Sequence, residues 1–293
     1  MNIIILGTIG IDTLKTPFGL AKEVIGGSAV YSAYSASFFN ECGIISVKGN
    51  DLPEKDISFL KKRGVSLEGV RTEGKNFRWS GEYEFDMNEA KTLKTELNSL
   101  ASFEPYIPES YKDAGFAFLA NIDPEIQLKV INSLKKPEIV VIDTMNFWIE
   151  SKKDKVIEAI AKSDVLILNE GEARELFKTP SLVKAAKNSL KLGIKAVIIK
   201  KGEHGSLLFT KDDHFNCPGY PLEDVIDPTG CGDSFGGAFI SHYSKSKDMK
   251  KAMVYASVIA SFNAEGFGLS SLQKVSMDDI EKRYREMVSL RSF

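Results

Sequence analysis

Short unbroken apolar runs recur along the chain, and each closes on polar residues. Ile3–Leu6 leads into Gly7-Thr-Ile-Gly-Ile-Asp12, Gly115–Leu119 ends at Asn121, and Ile139–Ile142 ends at Asp143. Val165–Leu168 ends at Asn169-Glu-Gly-Glu172, and Ala196–Lys200 ends at Lys201-Gly-Glu-His-Gly205. Runs of four or five apolar residues without alternation read as strands buried on both faces. Helix-length segments separate them; one opens at Asp123-Pro-Glu and runs to Leu134, with proline where a first helical turn accepts it. Strand alternating with helix predicts a three-layer α/β/α fold with a mostly parallel central sheet. Its functional site should lie at the strand C-termini.

One stretch has a different period. In Phe77–Phe85, Phe77, Trp79, Tyr83 and Phe85 fall on one face, and Arg78, Ser80, Glu82 and Glu84 on the other. With Thr92–Leu97 this predicts a small sheet projecting from the body, whose aromatic face must cover the domain, a partner or a substrate. Val24-Ile-Gly-Gly-Ser28 opens a helix of small and aromatic residues, Ala29–Phe39. Near the C-terminus, Met249–Ala264 reads as a strongly apolar helix and Met277–Leu290 as an amphipathic surface helix. Residues 1–293 read as one domain, with the small sheet formed by about 13–25 and 70–100.

Composition narrows the function classes. A formal net charge of −2 gives no electrostatic case for a nucleic acid or a membrane surface as partner. No apolar run approaches membrane-spanning length, and Met1-Asn-Ile-Ile-Ile-Leu-Gly reads as a first strand, not a signal peptide. Three scattered cysteines (Cys42, Cys217, Cys231) fit reduced thiols in a cytoplasm. His204, His214 and His242 are too far apart in sequence to suggest a zinc site or a Ser-His-Asp triad.

The densest chemistry lies in Asp227-Pro-Thr-Gly-Cys-Gly-Asp-Ser-Phe-Gly-Gly237, which follows the apolar pair Val225-Ile226 and leads into a helix over Ser234–Tyr243. Gly230 and Gly232 bracket Cys231, so the backbone can turn sharply and approach a ligand. Free amides of the first helical turn then make an anion site, with Asp233 at its mouth. Donors for developing negative charge beside a carboxylate base suit phosphoryl transfer to an alcohol. The plainer reading of Asp233 is a helix cap after a glycine turn. A dinucleotide fingerprint fails here, because Lys250, Lys251 and Met253 stand where an acidic residue belongs. Gly69-Val-Arg-Thr-Glu-Gly-Lys75 spells a phosphate loop, but Asn76 replaces its Ser or Thr and a strand follows instead of a helix. Asn169 and Glu172 at a strand-to-helix junction read either as a cap or as oxygen ligands for magnesium.

The string around Asp233 resembles the Asp-x-Thr-Gly-Ala-Gly-Asp signature of the ribokinase-like, or PfkB, family of sugar and nucleoside kinases, with Cys231 in the usual alanine position. Further matches follow in family order: Gly26-Gly27, Asn169-x-x-Glu172, and Lys200-x-Gly202-x-x-Gly205. The resemblance makes Asp233 the catalytic base and the amides of Gly230, Cys231 and Gly232 an anion hole. It assigns the acceptor side to Asp12, Gly26, Gly27, Tyr31 and Asn121. The nucleotide side falls to Asn169, Lys200, Gly202 and Gly205, with Glu172 reaching magnesium through water. Two departures stand out: Tyr31 replaces a sugar-contacting Asn, and Lys200 replaces a Thr.

An ATP- and Mg2+-dependent kinase acting on a hydroxymethyl group is thereby implied, in a ribokinase-like fold with a β lid that relatives often share across a homodimer. Dependence on a monovalent cation stays open. Met145, Phe147 and Trp148 after a strand end, with Trp79 and Tyr83 on the small sheet, supply aromatic surface on which a base stacks. That surface and Tyr31 tilt the acceptor from sugar toward nucleoside, although core packing also explains the aromatics. A catalytically silent binding protein of the same fold is the alternative.

Overall fold

The computed structural model describes residues 1–88 and 90–290. Residues 89 and 291–293, which the predicted small-sheet and domain spans included, lie outside the described residues. The strands, in chain order, are Ile3–Leu6 (β1), Gly10–Thr16 (β2), Gly19–Gly26 (β3), Cys42–Lys48 (β4), Val65–Thr72 (β5), Phe77–Tyr83 (β6) and Ala90–Glu96 (β7). Phe116–Leu119 (β8), Ile139–Ile142 (β9), Val165–Asn169 (β10), Ala196–Lys200 (β11), Ser206–Thr210 (β12) and His214–Cys217 (β13) follow.

Nine strands form one sheet in the order β13-β12-β11-β10-β9-β8-β1-β4-β5. Its pairings are parallel from β5 to β11, while β12 and β13 are antiparallel additions. Both faces are covered, as the unbroken apolar runs require. Side chains alternate across a strand, so Ile3 and Ile5 join one core with Phe118, Val141 and Ile198, while Ile4 and Leu6 join the other with Leu119, Ile142 and Ile199. The helices Ser28–Ala36, Cys231–Ser246 and Met249–Ala264 contribute to the first core. Pro124–Ser133, Lys153–Ala161 and Leu182–Leu190 contribute to the second.

The small sheet runs β3-β2-β6-β7. Two boundaries differ from the sequence expectation. Residues 70–72 belong to β5, which pairs with β4 at the edge of the large sheet. Phe85 lies beyond β6 and is 96% exposed, so it takes no part in an aromatic face. Along β6 the burial does not alternate: every residue but Gly81 is half-buried. Asp12, which follows the end of β1 in the sequence, sits within β2, which carries it from the small sheet against the main body.

Candidate active site

The parallel register sets the floor of the site. β10 and β11 end level, with Asn169 opposite Lys200, and Asp143 directly follows β9. Facing these ends is the first turn of Cys231–Ser246, which begins three residues earlier than the sequence suggested. The reason is Gly230, whose φ of 75° puts it in the left-handed region that favours glycine and starts the helix at once. Asp227 is fully buried and pins the preceding turn: Oδ1 accepts the Thr229 amide at 3.0 Å and Oδ2 accepts the Gly268 amide at 3.1 Å. Asn263 Nδ2 donates to the Thr229 carbonyl at 2.7 Å, and the Thr229 hydroxyl reaches Tyr83 of β6 at 3.4 Å.

This turn leaves donors free, though not the expected set. The Cys231 amide donates to the Pro228 carbonyl at 3.1 Å, so it is occupied. Among the described residues the amides of Gly230, Gly232 and Asp233 have no acceptor. The Cys231 thiol lies inward, 3.5 Å from the Ala260 carbonyl, and burial pushes it up to about 12, keeping it neutral.

Around the free amides the electrostatics are strongly perturbed. Burial, then the Asp143 carboxylate, raises Asp233 to about 7, and the Lys200 ammonium partly opposes this. Burial, then Asp143, also raises Glu172. Lys200 Nζ donates to Asp143 Oδ2 at 2.8 Å, with both side chains largely buried. Burial favours the neutral amine, but Asp143 and Glu172 outweigh it and hold the ammonium above the usual lysine range. Asn169 and Glu172 form a reciprocal helix cap, in which the Asn169 amide donates to Glu172 Oε2 at 2.7 Å and the Glu172 amide to Asn169 Oδ1 at 2.8 Å. Their capping role is thus met in this geometry, with the rest of the buried Glu172 carboxyl facing Asp143, Lys200 and Asp233. Gly202 and Gly205 both have positive φ and turn the chain after β11; Gly202 lies against Asn88 from the β6–β7 connection.

The acceptor-side residues gather on the other flank of the signature turn. Asp12 is 4% exposed, and burial, then Asp227 and Asp233, raises it to about 7. Gly26 packs on its carboxyl, where a Cβ would lie 2.8 Å from Cγ. Gly27 has φ 95°, and a Cβ there would meet the Thr8 carbonyl oxygen at 2.5 Å and the Gly10 amide at 2.8 Å. The glycine pair is therefore required by packing as well as by any ligand. Tyr31 lies with its ring against Gly230, and its buried hydroxyl has no hydrogen-bond partner. The Asn121 side chain is engaged by neighbours: its Nδ2 donates to Met145 Sδ at 3.0 Å, and its Oδ1 accepts from Trp148 Nε1 at 3.1 Å. Its carbonyl accepts from the Ser28 hydroxyl at 3.1 Å, which ties this cluster to the glycine pair. Met145 and Phe147 remain 36% and 53% exposed.

The site thus brings Asp12, Asp233, Gly26, Gly27, Tyr31, Lys200 and Glu172 around one turn. Sequence reading missed Asp143 and Asp227. Asp143 had a signal, since it ends a buried strand on the same sheet edge as Asn169 and Lys200. Asp227 had only its place in the signature string.

A family model described as pfkB family carbohydrate kinase matches residues 114–274, more than half of the chain. The chain belongs to the pfkB family. It is a phosphotransferase with an alcohol acceptor, an ATP-dependent kinase of the nucleoside and sugar class. Cytidine kinase of Thermococcus kodakarensis is 28% identical over 260 residues, covering 86% of this chain and 92% of its own. The nucleoside kinase of Burkholderia thailandensis, solved with inosine, superposes with a TM-score of 0.79 at 19% identity, covering 98% of both chains. An E. coli structure of the ribokinase fold, solved with ATP and Mg2+, gives 0.79 at 20% identity, covering 97% of this chain and 99% of its own. Among the described residues no helix is long and apolar enough to cross a membrane.

Proposed function

We propose that this pfkB-family protein phosphorylates the hydroxymethyl group of a nucleoside, with ATP as donor. The observation that carries the reading is the signature turn, where three unoccupied amides, of Gly230, Gly232 and Asp233, stand beside the Asp233 carboxyl and the Lys200 ammonium. Asp12 orients the acceptor so that its hydroxyl reaches Asp233. Asp233 takes the hydroxyl proton as the oxygen attacks the terminal phosphorus, and the free amides take up charge on the transferring group. A carboxylate raised to about 7 is well matched to a proton taken near neutral pH.

Asn169, Lys200, Gly202 and Gly205 form the nucleotide side. Asp143, Glu172 and Asp233 face a single ammonium, a surplus of negative oxygen that suits a hard divalent cation. Among the described residues no group of three or more His, Cys, Asp or Glu could by itself hold a metal, so Glu172 would hold magnesium through its waters and the phosphates. Bound there, magnesium would neutralise phosphate charge. The assay run in buffers of defined Na+ and K+ decides whether a monovalent cation is also needed.

The nucleoside is preferred to a free sugar because Met145 and Phe147 stay exposed beside Trp148, whose indole Asn121 fixes. Such a platform stacks a base. The cytidine kinase and the inosine-bound nucleoside kinase support the same choice. The small sheet covers the acceptor side as a lid, and its exposed Phe18, Leu20 and Leu93 are a surface for a homodimer that light scattering tests. The test of function is ATP consumption with magnesium against adenosine, cytidine, inosine, ribose, fructose and 2-keto-3-deoxygluconate. Turnover confined to the nucleosides is expected. Turnover confined to sugars would overturn the base platform, and silence with ATP still bound would favour a binding protein without catalysis.

A further inference from the structure

We propose that Lys200 is a catalytic residue whose ammonium contacts the phosphoryl group in flight, and that Asp143 is the positioning residue that aims it. This rests on the kinase reading above and deepens it, assigning Lys200 to the terminal phosphoryl rather than to the nucleotide as a whole. The ammonium lies against the first turn of the signature helix: a Cβ on Gly232 would sit 2.9 Å from Nζ. Glycine at 232 is what lets the ammonium come so near.

Beside a helix N-terminus a cation needs an anionic partner. The N-terminus of a helix is the positive end of its dipole, so an ammonium beside it is repelled, and burial adds a desolvation cost. The unoccupied amides of Gly230, Gly232 and Asp233 add further positive edges to the same space. Only one ligand chemistry satisfies all of them together, a multiply charged oxyanion. Asp143 does so in part: at 2.8 Å it is the only hydrogen-bond acceptor of Lys200 among the described residues, leaving two of the three ammonium donors uncommitted. Asp143 follows β9 and Lys200 ends β11, so the pair spans β10 and is held by the register of three rigid strands. Rigid mounting suits a charge meant to act without reorganisation.

In the step itself the acceptor oxygen bonds phosphorus and the bond from phosphorus to the bridging oxygen of ADP breaks. The hydroxyl proton passes to Asp233, and Lys200 remains an ammonium throughout. Because charge on the equatorial oxygens and the leaving oxygen changes during transfer, a contact of this kind acts on kcat more than on ATP binding.

The experiment compares Lys200→Met, Lys200→Arg and Asp143→Asn in the full-length protein. Lys200→Met should lower kcat about 100-fold with less than about a tenfold change in ATP affinity, and Lys200→Arg should restore part of it. The two partners pull Asp233 in opposite directions, so the acid limb of kcat/KM should move to higher pH in Lys200→Met and to lower pH in Asp143→Asn. A kcat within about threefold of wild type in Lys200→Met, or a loss confined to the KM for ATP, overturns the proposal. If no acceptor is turned over by wild type, the kinase reading fails separately. Calorimetry with ADP and magnesium, with and without fluoroaluminate as a mimic of the phosphoryl group in flight, then decides: loss in Lys200→Met of the tightening that fluoroaluminate gives supports the contact, and an unchanged tightening refutes it. If Lys200→Met fails to fold, Lys200→Arg and Asp143→Asn carry the same readings.

Discussion

Replacing Asp12 by asparagine should stabilise the protein while damaging its function. The Asp12 carboxyl is 4% exposed in β2, and its pKa rises from 3.8 to about 7 through burial and the nearby Asp227 and Asp233. Each pKa unit is worth about 1.4 kcal/mol, so holding Asp12 ionised in the folded state at pH 8 costs on the order of 4 kcal/mol at most. The folded carboxyl binds its proton more tightly than the unfolded one. Wild-type stability therefore falls as pH rises from about 4 through about 7, and this contribution is level above that. Asparagine keeps the shape and the acceptor oxygen for the Gly27 amide, but carries no charge. The variant's advantage should be small near pH 4, grow through the window and plateau above pH 7, where it reaches about 5 °C in Tm. Thermal and urea unfolding at pH 4.5, 6 and 8 measure it. On the functional side, kcat/KM for the acceptor should fall about 100-fold or more while ATP affinity holds. A variant no more stable than wild type at pH 8, or a gain independent of pH, would refute the account of a strained carboxylate. Full activity would refute its contact with the acceptor.

Asp233→Asn should lower kcat by about 10²–10⁴ while nucleotide affinity, read by calorimetry, is retained. In wild type, the acid limb of kcat/KM should lie near pH 7, activity rising as Asp233 loses its proton; a limb near pH 4 would deny the desolvated environment. Phe147→Ala should raise KM for nucleosides about tenfold or more through lost stacking, while leaving any turnover of ribose unchanged. Gly27→Ala should unfold or destabilise the chain by about 2 kcal/mol or more, since its φ of 95° and the nearby Thr8 carbonyl admit no Cβ. A Tm within two degrees or so of wild type would show that the backbone there relaxes easily.

The strands of the large sheet were legible because each is a run of apolar residues too short for a helix and buried on both faces, a pattern few other arrangements produce. Strand ends then named Asn169 and Lys200, and the glycines around Cys231 named the turn before Asp233. All of these are local signals, set by backbone conformation or by the solvent each face meets. What the sequence left undecided are distances between residues far apart in the chain. Asn169 and Glu172 suited a cap or a metal equally on paper, and the fold shows the cap closed. Asn121 read as an acceptor contact, yet its amide is held by Met145 and Trp148, which lie 24 and 27 residues away. Lys200 was only a departure at a strand end until the register brought Asp143, 57 residues away, within 2.8 Å. The raised carboxyls of Asp12 and Asp233 likewise exist only after folding, because desolvation and mutual repulsion depend on what packs around a group. The sequence determined which residues could form a phosphoryl-transfer site; the tertiary packing decided which of them face one another, which amides stay free, and how strongly each charge is displaced from its behaviour in water.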